Sequence, residues 1–332
     1  MLRLEVPRPG ASTDSDTIQC RAVDPLPFVA AAAEMLRHAW APPSLYYSDA
    51  YVKWRLAFPG TARPRAALAT DGPRVVGFMA AVPRRIWIQD REASIYVRSC
   101  LGVHPDYRGT GIAGRLMRLI LAADGPTIGF TEPGSASERI HAASAHACGL
   151  TFKRVAELRT YAFGGIRHAL DPRAIVRQAT VEEFRAVADG CTGPGIAWSR
   201  PTAQQLEHYA ADPRGSCLAL VESLDGVTLG AGLIVRSQVV TTRGVESVPS
   251  LDALFLHRAH DAALAALGAF ALDRWRADEP AVVTAPNLHT VPADAIRRAG
   301  FRATRSAFHV IVIGTESDPV VRYTTTTNLE VF

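Results

Sequence analysis

The stretch "HPDYRGTGIAG", residues 104–114, decides which fold this chain can adopt. Gly109, Gly111 and Gly114 spell the pattern G-x-G-x-x-G, in which small residues let the main chain approach a phosphate closely. If a helix begins at the loop, its first N–H groups point at the bound anion. With Glu132 at the end of the next apolar run, the pattern also fits a Rossmann dinucleotide-binding turn. The loop therefore predicts an anion site, and its surroundings must identify the fold.

The order of elements around the loop argues against the Rossmann interpretation. A Rossmann turn follows its strand directly, whereas a charged segment, 104–108, separates the strand end at Val103 from the first glycine. Before the loop the sequence predicts a strand (17–23), two helices (25–40 and 48–58) and three antiparallel strands ("RAALATDG", "RVVGFMAAVPRRIWIQD" and "REASIYVRSCLGV"). After the loop it predicts a helix (112–123), a strand (126–132), a helix (137–150) and a strand (152–163). An NAD-dependent oxidoreductase stays a minor alternative.

The segment "LGVHPDYRGTGIAGRLM" resembles the V-x-P-x-[YF]-[RQ]-x-x-G-x-[GA] signature of the GNAT acetyltransferase superfamily. The later helix ending "HACGL" and the segments 51–60 and 129–137 resemble further motifs of the family, so the resemblance spans about residues 17–163. It implies an α/β fold with a mostly antiparallel mixed sheet, a splayed parallel pair and flanking helices. It also implies acetyl-CoA, or another acyl-CoA, as co-substrate, and no metal.

The same resemblance implies where the cofactor binds. The loop would turn its N–H groups onto the CoA pyrophosphate, with the dipole of the following helix behind them. The pantetheine arm would lie between the strand before the loop and the strand after it, paired to the main chain. The predicted cofactor-binding residues are Leu101, Gly102, Val103, Arg108, Gly109, Thr110, Gly111, Ile112, Ala113 and Ser137.

The catalytic groups are less clear, because the chain departs from the family. A backbone N–H near Val103 would polarise the thioester. However, the helix position where the family commonly has a tyrosine acid is Ala145, and the strand before the loop offers Ser99 and Cys100 where a glutamate base is common. The resemblance therefore implies the cofactor without implying which residues act as acid and base.

Three residues are candidates for the missing roles. Glu132 would be the base or an acceptor-binding group, and its alternative is a solvated turn residue or a helix cap. His146 would carry a proton, although a helix histidine is more often a packing residue. Trp54 would line the acceptor pocket, although an aromatic residue on an amphipathic helix is more often core.

The second half repeats the order of the first. The segment "TIGFTEPGSAS…ACGL" has a parallel in "VVTAPNLHTV…RAGF", which indicates an internal repeat of domain size. Where the glycine loop should be, the repeat reads "LHRAHDAAL" (256–264), so we expect no CoA site there and a wall of the acceptor cleft instead. The predicted division is 1–164, an N-terminal GNAT domain; 165–315, a degenerate GNAT-like domain; and 316–332, a disordered polar tail.

Composition excludes several other classes. Of the 36 basic residues 34 are arginine, yet the net charge is only +4, which gives little support for a nucleic-acid partner. The five cysteines form no C-x-x-C pair, and no apolar run is long enough for a signal peptide or membrane span. We predict a cytoplasmic monomer or homodimer that acetylates a small-molecule amine. The alternative is a non-catalytic acyl-CoA sensor.

Overall fold

The computed structural model describes residues 18–60, 62–89, 91–164, 174–191, 195–286, 288 and 290–328. The elements of the first half are β1 (Ile18–Val23), α1 (Val29–Ala39), β2 (Ser44–Leu45), α2 (Asp49–Leu56), β3 (Arg65–Asp71), β4 (Arg74–Ile88), β5 (Arg91–Val103), α3 (Ile112–Leu121), β6 (Thr127–Thr131), α4 (Ala136–Ala147) and β7 (Thr151–Phe163). All the predicted helices and strands of this half form, with ends shifted by a few residues. Because β3, β4 and β5 pair antiparallel, the order before the loop is not that of a Rossmann unit.

The second half continues with β8 (Ala174–Gln178), α5 (Val181–Gly190), β9 (Ile196–Ser199), α6 (Ala203–Ala210), β10 (Ser216–Ser223), β11 (Thr228–Thr241), β12 (Gly244–Leu256), α7 (His260–Arg274), β13 (Val283–Ala285), α8 (Ala293–Arg298), β14 (Arg302–Gly314), α9 (Pro319–Tyr323) and β15 (Thr326–Asn328). The residue pattern of the segment 198–212 predicts one helix, but the structure has a helix only over Ala203–Ala210. Thr202 caps α6 by accepting a hydrogen bond from Gln205 N–H, so the helix begins there and the preceding residues extend as β9.

The main strands form one mixed sheet in the order β1-β3-β4-β5-β6-β14-β7-β13-β12-β11-β10-β8. Four antiparallel strands of each half lead to a short parallel pair, β5 with β6 in the first half and β12 with β13 in the second. The predicted fold class is therefore confirmed: a mixed α/β sheet with helices packed against it. The four antiparallel strands and the parallel pair are arranged in the same way in both halves, as the internal repeat predicts.

The two halves exchange their final strands. β14 lies between β6 and β7, while β7 lies between β14 and β13. Each half therefore completes the sheet of the other, and a cut between residues 164 and 165 divides the chain without dividing the sheet. The predicted domain boundaries stay a prediction.

Helices cover the first half on both sides. α1 and α2 pack on one face of the sheet, in a core that includes Leu36, Leu56 and Phe78. α3 packs on the other face through Ile112, Leu116 and Ile120, which confirms the predicted apolar side of that helix. The sheet of the first half therefore lies between two helical layers.

The prediction of a disordered tail is wrong for residues 319–328. Val320 and Val321 of α9 are 1% and 4% exposed, because they pack against the core that Ile95 and Val310 form. Lys153 Nζ donates to the Val321 carbonyl oxygen at 2.9 Å, and β15 pairs with β9. Residues 1–17 and 329–332 lie outside the described residues.

Candidate functional site

The glycine loop forms as the sequence predicts. Gly109 and Gly111 have φ of +83° and +79°, values that favour glycine, and Gly111 is the N-cap of α3. A Cβ on either residue would meet no atom within 4 Å, so the loop surface is open. Arg115 N–H donates to the Gly111 carbonyl oxygen, so the preceding N–H groups of the first turn of α3 have no place in the helix ladder. This geometry suits an anion.

Three side-chain contacts fix the loop in place. Tyr107 Oη donates to Asp71 Oδ2 at 2.7 Å, and Thr110 Oγ1 donates to the Tyr107 carbonyl oxygen at 2.7 Å. Arg108 Nη2 donates to the Ala39 carbonyl oxygen at 2.5 Å, at the end of α1. The side chain of Arg108 is therefore engaged by the protein, and what the loop offers at this residue is its main chain.

A gap opens between β5 and β6 beside the loop. The two strands pair only at Tyr96 with Thr127 and at Val97 with Ile128, although β5 runs six residues further. In the divergent part, β5 has a bulge at Cys100, which has a φ of +57°. The gap is the splay that the resemblance implies, and its wide end adjoins the glycine loop.

Main-chain groups of two predicted cofactor-binding residues face this gap. His104 N–H donates to the Val76 carbonyl oxygen on β4. Because alternate residues of a strand turn to opposite neighbours, Gly102 also faces β4, whereas Leu101 and Val103 face the gap. A Cβ on Gly102 would lie 2.8 Å from Leu36 Cδ2, so glycine here lets α1 pack on the strand. The structure thus gives Gly102 a packing role, while the main chain of Leu101 and Val103 faces the gap.

Sequence reasoning missed Arg98, which lies at the narrow end of the gap. It is the first residue of β5 beyond the paired Val97 and is only 6% exposed. Its guanidinium donates to Thr127 Oγ1 and, at 2.9 Å, to the Ile311 carbonyl oxygen. A Cβ on Gly129 would lie 2.7 Å from Arg98 Nε, so that glycine makes room for it. Burial lowers the pKa of Arg98 to about 9. A charged residue in the apolar stretch "IYVRSCLGV" was the available signal.

The histidine of α4 that lies near this centre is His141 rather than the predicted His146. His141 is 4% exposed and its Nδ1 donates to the Ser137 carbonyl oxygen at 2.7 Å. Burial and the nearby charge of Arg98 lower its pKa to about 3, so the ring is neutral. His146 is exposed, because the buried side of α4 ends at Ala145. Its predicted role as a proton carrier finds no support in this position.

Glu132 follows β6 directly and is exposed. Its alternative role as a helix cap is excluded, because Ser135 caps α4 by accepting from Glu138 N–H. Ser137 is likewise not the cap but lies within the first turn of α4. Glu132 therefore remains a candidate base at the rim of the gap, and the contact of Ser137 with CoA remains a prediction.

The second half contributes a histidine to α4. Glu138 is 5% exposed, and its Oε2 accepts from Gly134 N–H at 2.7 Å. Its Oε1 accepts from Arg154 Nε and from His309 Nδ1, both at 2.7 Å. Burial opposes ionisation, but the hydrogen bonds from Gly134, His309 and Arg154 outweigh it and lower the pKa of Glu138 to about 2. Since His309 lies on β14, this contact fastens the first half to the exchanged strand.

Trp54 joins the two halves rather than lining an open pocket. Its Nε1 donates to the His208 carbonyl oxygen at 2.8 Å, and His208 Nε2 donates to the Trp54 carbonyl oxygen at 3.0 Å. The two rings stack with centroids 4.9 Å apart. The structure thus places Trp54 at the junction between the two halves, and its contact with the acceptor stays a prediction.

Two further features complete the description. A cavity of about 680 Å³ opens at the hairpin end of β4 and β5, far along both strands from the glycine loop. Its lining consists of Arg85, Trp87, Glu92, Arg185, Asp189, Arg200, Pro201 and Thr202. Within the described ranges, no group of three or more His, Cys, Asp or Glu side chains is placed to hold a metal, and none of the helices described is long and apolar enough to cross a membrane.

Comparison with known proteins agrees with the fold and the loop. Residues 30–130 match the Acetyltransferase (GNAT) family. N-myristoyltransferase of Saccharomyces cerevisiae with bound myristoyl-CoA superimposes with a TM-score of 0.64 at 12% identity, covering 98% of this chain and 86% of that one. A GCN5-related N-acetyltransferase from Kribbella flavida gives 0.53 at 16% identity, covering 91% and 72%. A probable N-acyltransferase from Enterococcus faecalis gives 0.54 at 10% identity, covering 90% and 72%. At these identities the likeness establishes the fold. A search of curated protein sequences gives no match.

The family match and the whole-chain fold together say what this protein is similar to. Residues 30–130 carry the pattern of the Acetyltransferase (GNAT) family, and nearly the whole chain shares its fold with N-acyltransferases.

Proposed function

We propose that this protein uses acetyl-CoA to acetylate the amine of a small molecule, such as an amino sugar, an antibiotic or a biosynthetic intermediate. The observation that carries the proposal is that the glycine loop and the gap between β5 and β6 are continuous with each other. The open glycine loop with the first turn of α3 adjoins the gap between β5 and β6, and the gap narrows towards Arg98. A phosphate at the loop would place the attached arm in that gap.

Arg98 supports a short acyl group. A long apolar chain continuing past the narrow end of the gap would have to pass a buried guanidinium that is held by Thr127 and Ile311. An apolar chain packed against the guanidinium would take the charge of Arg98 further out of polar surroundings, which costs free energy. An acetyl group ends before that point, so it meets no such cost.

The enclosed junction supports a small acceptor. α2 and α6 meet through Trp54 and His208, so the second half covers part of the α2 side of the first half, and we expect a small acceptor to fit there more readily than a macromolecule. The small net charge also gives no extended basic surface. We further propose that the protein acts in the cytoplasm. We also propose that it is a monomer or a homodimer, because the two repeats within one chain can supply an interface to each other.

In the proposed mechanism the acyl group passes directly from CoA to the amine. The amine nitrogen attacks the thioester carbonyl carbon, a C–N bond forms and the C–S bond breaks. The N–H groups of Leu101 and Val103 would polarise the carbonyl oxygen. Glu132 would accept the proton that the amine loses, and the thiolate would leave as the thiol after taking up a proton. The transfer depends chiefly on positioning, which suits a site built from main chain and buried side chains.

The first experiment is calorimetric titration with acetyl-CoA and, separately, with NADH. We expect one acetyl-CoA to bind per chain and no NADH, followed by free-thiol release with accepted amines. Acetyl-CoA binding without turnover on any amine would favour the alternative of a non-catalytic acyl-CoA sensor, which the replacement of the family's tyrosine by Ala145 makes worth testing. If acetyl-CoA failed to bind, the proposal would be wrong.

A further inference from the structure

Five charged side chains are buried together at the junction between the two halves. We name them the junction cluster; its members are Arg55, Arg84, Asp212, Arg214 and Asp252, which are between 1% and 6% exposed. Three guanidinium groups therefore face two carboxylates in an environment with little water. Such a cluster retains one net positive charge, and a buried charge that is not neutralised is costly.

Two of the three arginines have clear partners. Arg214 Nη2 lies 2.6 Å from Asp212 Oδ2, in a fork that also joins its Nε to the same carboxylate. Its guanidinium also lies 4.0 Å from the centre of the Tyr51 ring. Arg84 lies 3.4 Å from the centre of the Phe58 ring and donates to the Pro83 carbonyl oxygen at 3.0 Å. Their charges are thus held by a carboxylate and by aromatic faces.

Arg55 differs from the other two. It is 4% exposed, and its buried Nε and Nη1 have no hydrogen-bond partner among the described residues. Arg214 Nη1 is in the same situation. Buried N–H donors in proteins are nearly always satisfied, so donors of this kind point to an acceptor that the chain itself does not supply.

The position of Arg55 connects it to the reaction centre. It lies on α2, whose Val52 and Leu56 pack in one core with Cys100 at the bulge of β5. α3 packs against the sheet from the other helical layer. Burial alone would lower the pKa of Arg55, but Tyr51, Cys100 and Asp252 around it raise its pKa above the ordinary value, so it stays charged. Arg55 thus lies near the bulge of β5, on the face of the sheet opposite to α3.

We infer that Arg55 binds a carboxylate of the acceptor, so the acceptor is an amino acid or another amine that carries a carboxylate. The inference rests on the proposed function, since it names the substrate class of the same site. One carboxylate would bring the net charge of the junction cluster to zero and satisfy the open donors of Arg55. Asp252, near Arg55, gives the cluster a negative pole that would attract the ammonium group before it loses its proton.

The test compares matched pairs of amines in the presence of acetyl-CoA. Each amino acid of a panel, for example phenylalanine, lysine and β-alanine, is paired with the amine that lacks its carboxylate. Free-thiol release gives kcat and KM for the parent and for Arg55→Met, which keeps the length of the side chain without its charge. We expect the acids to be preferred by the parent, and Arg55→Met to lower their kcat/KM by about 10- to 100-fold, mainly through KM, as expected for loss of a charge-assisted hydrogen bond.

Two control variants separate recognition from folding. Arg55→Lys keeps the charge and should restore part of the preference for acids. Arg200→Met removes another buried arginine, one that donates to the carbonyl oxygens of Ala188 and Cys191 beside the hairpin end of β4 and β5, and it should leave the preference unchanged. Thermal unfolding and acetyl-CoA titration of every variant report folding and cofactor binding.

Binding of the acids is also measured without turnover, as the rise in melting temperature of the protein saturated with acetyl-CoA. Acids that stabilise the parent but not Arg55→Met support the inference even if none of them is acetylated. If the parent turns over or binds acids and their decarboxylated partners equally, or if Arg55→Met affects both alike, the inference is wrong while the proposed function stands. If acetyl-CoA itself does not bind the parent, the proposed function fails first.

Discussion

The central helices of the two halves begin in the same backbone conformation but on different residues. Gly111 caps α3 with a φ of +79°, and Ala259 caps α7 with a φ of +47°. Seven residues separate the end of β5 from the first cap, whereas two separate the end of β12 from the second. In the first turn of α7, Asp261 Oδ2 accepts from Arg298 Nε at 2.9 Å. The second half thus has a carboxylate near the position where the first half has open N–H groups.

Because of this difference, the two helix starts offer a phosphate different surroundings. A helix start attracts anions through its N–H groups and dipole, and a resident carboxylate competes with any phosphate there. A short loop also leaves fewer N–H groups for a ligand. Among the described residues, the second half therefore keeps the framework, including its parallel pair and bulge, but does not repeat the glycine loop. The second half still contributes three things to the first half: the strand β14, the residue that contacts Trp54, and most members of the junction cluster.

The largest expected effect comes from making the first loop resemble the second. Gly111→Asp places a carboxylate at the start of α3, and we expect the Kd for acetyl-CoA to rise on the order of 1,000-fold, since hydrogen bonds are lost and like charges meet. Gly226→Asp is the matched control, because Gly226 has a φ of +78° and equally open surroundings in a hairpin of the second half. Calorimetric titration decides. Equal affinity of both variants would mean that the loop does not bind CoA.

The next effect tests whether the first half depends on the exchanged strand. Glu138→Gln removes a buried charge that holds His309 and Arg154, and we expect a loss of about 3 kcal/mol in the free energy of unfolding. Glu157→Gln, an exposed carboxylate 3.7 Å from His309 Nε2, should cost under about 0.5 kcal/mol. Denaturant titrations measure both. Equal effects would show that the contact does not fasten the halves together.

The same carboxylate makes stability depend on pH. The pKa of Glu138 in the folded protein, about 2, lies below the ordinary value of 4.5, so its contribution is complete above pH 4.5 and is lost as the pH falls towards 2. In Glu138→Gln this part of the pH profile should be flatter than in the parent. An unchanged profile would contradict the assignment.

A further test compares equivalent ends of the two parallel pairs. Glu132 follows β6, whereas Pro286 follows β13, so only the first half has a carboxylate there. If Glu132 is the base, Glu132→Gln should lower kcat by about 100-fold. The Kd for acetyl-CoA should stay within about twofold, since nothing ties this side chain to the loop. A normal kcat would return Glu132 to the role of a solvated turn residue.

The smallest effect tests the strained cap of the second half. Ala259→Gly should stabilise the protein by about 0.5 kcal/mol, because the relief of a left-handed alanine slightly exceeds the entropy that glycine adds to the unfolded chain. Ala143→Gly, in the middle of α4 and exposed, should instead destabilise it by about 1 kcal/mol. Denaturant titration measures both. The variant should still bind a single acetyl-CoA per chain, because the loop stays short and Asp261 remains.

The local parts of the site followed from the sequence. The glycines, the apolar face of α3 and the antiparallel strands before the loop are fixed by short-range rules, and each formed where it was expected. The side-chain roles followed poorly. His146 and Trp54 were selected by residue type and position along an element, whereas burial depends on which face of the helix meets the rest of the protein. His141 and Arg98 were passed over for the same reason.

The loop, the family resemblance and the internal repeat can be read along the chain, because glycine conformation, periodicity and element order are local or sequential properties. The exchange of the last strands, the contact of His309 on β14 with Glu138, and the contact of Arg55 with the second half appear only once the chain has folded. The contact of Glu138 with His309 alone joins residues 171 positions apart. Strand pairing and helix packing set such distances, and no local pattern encodes them.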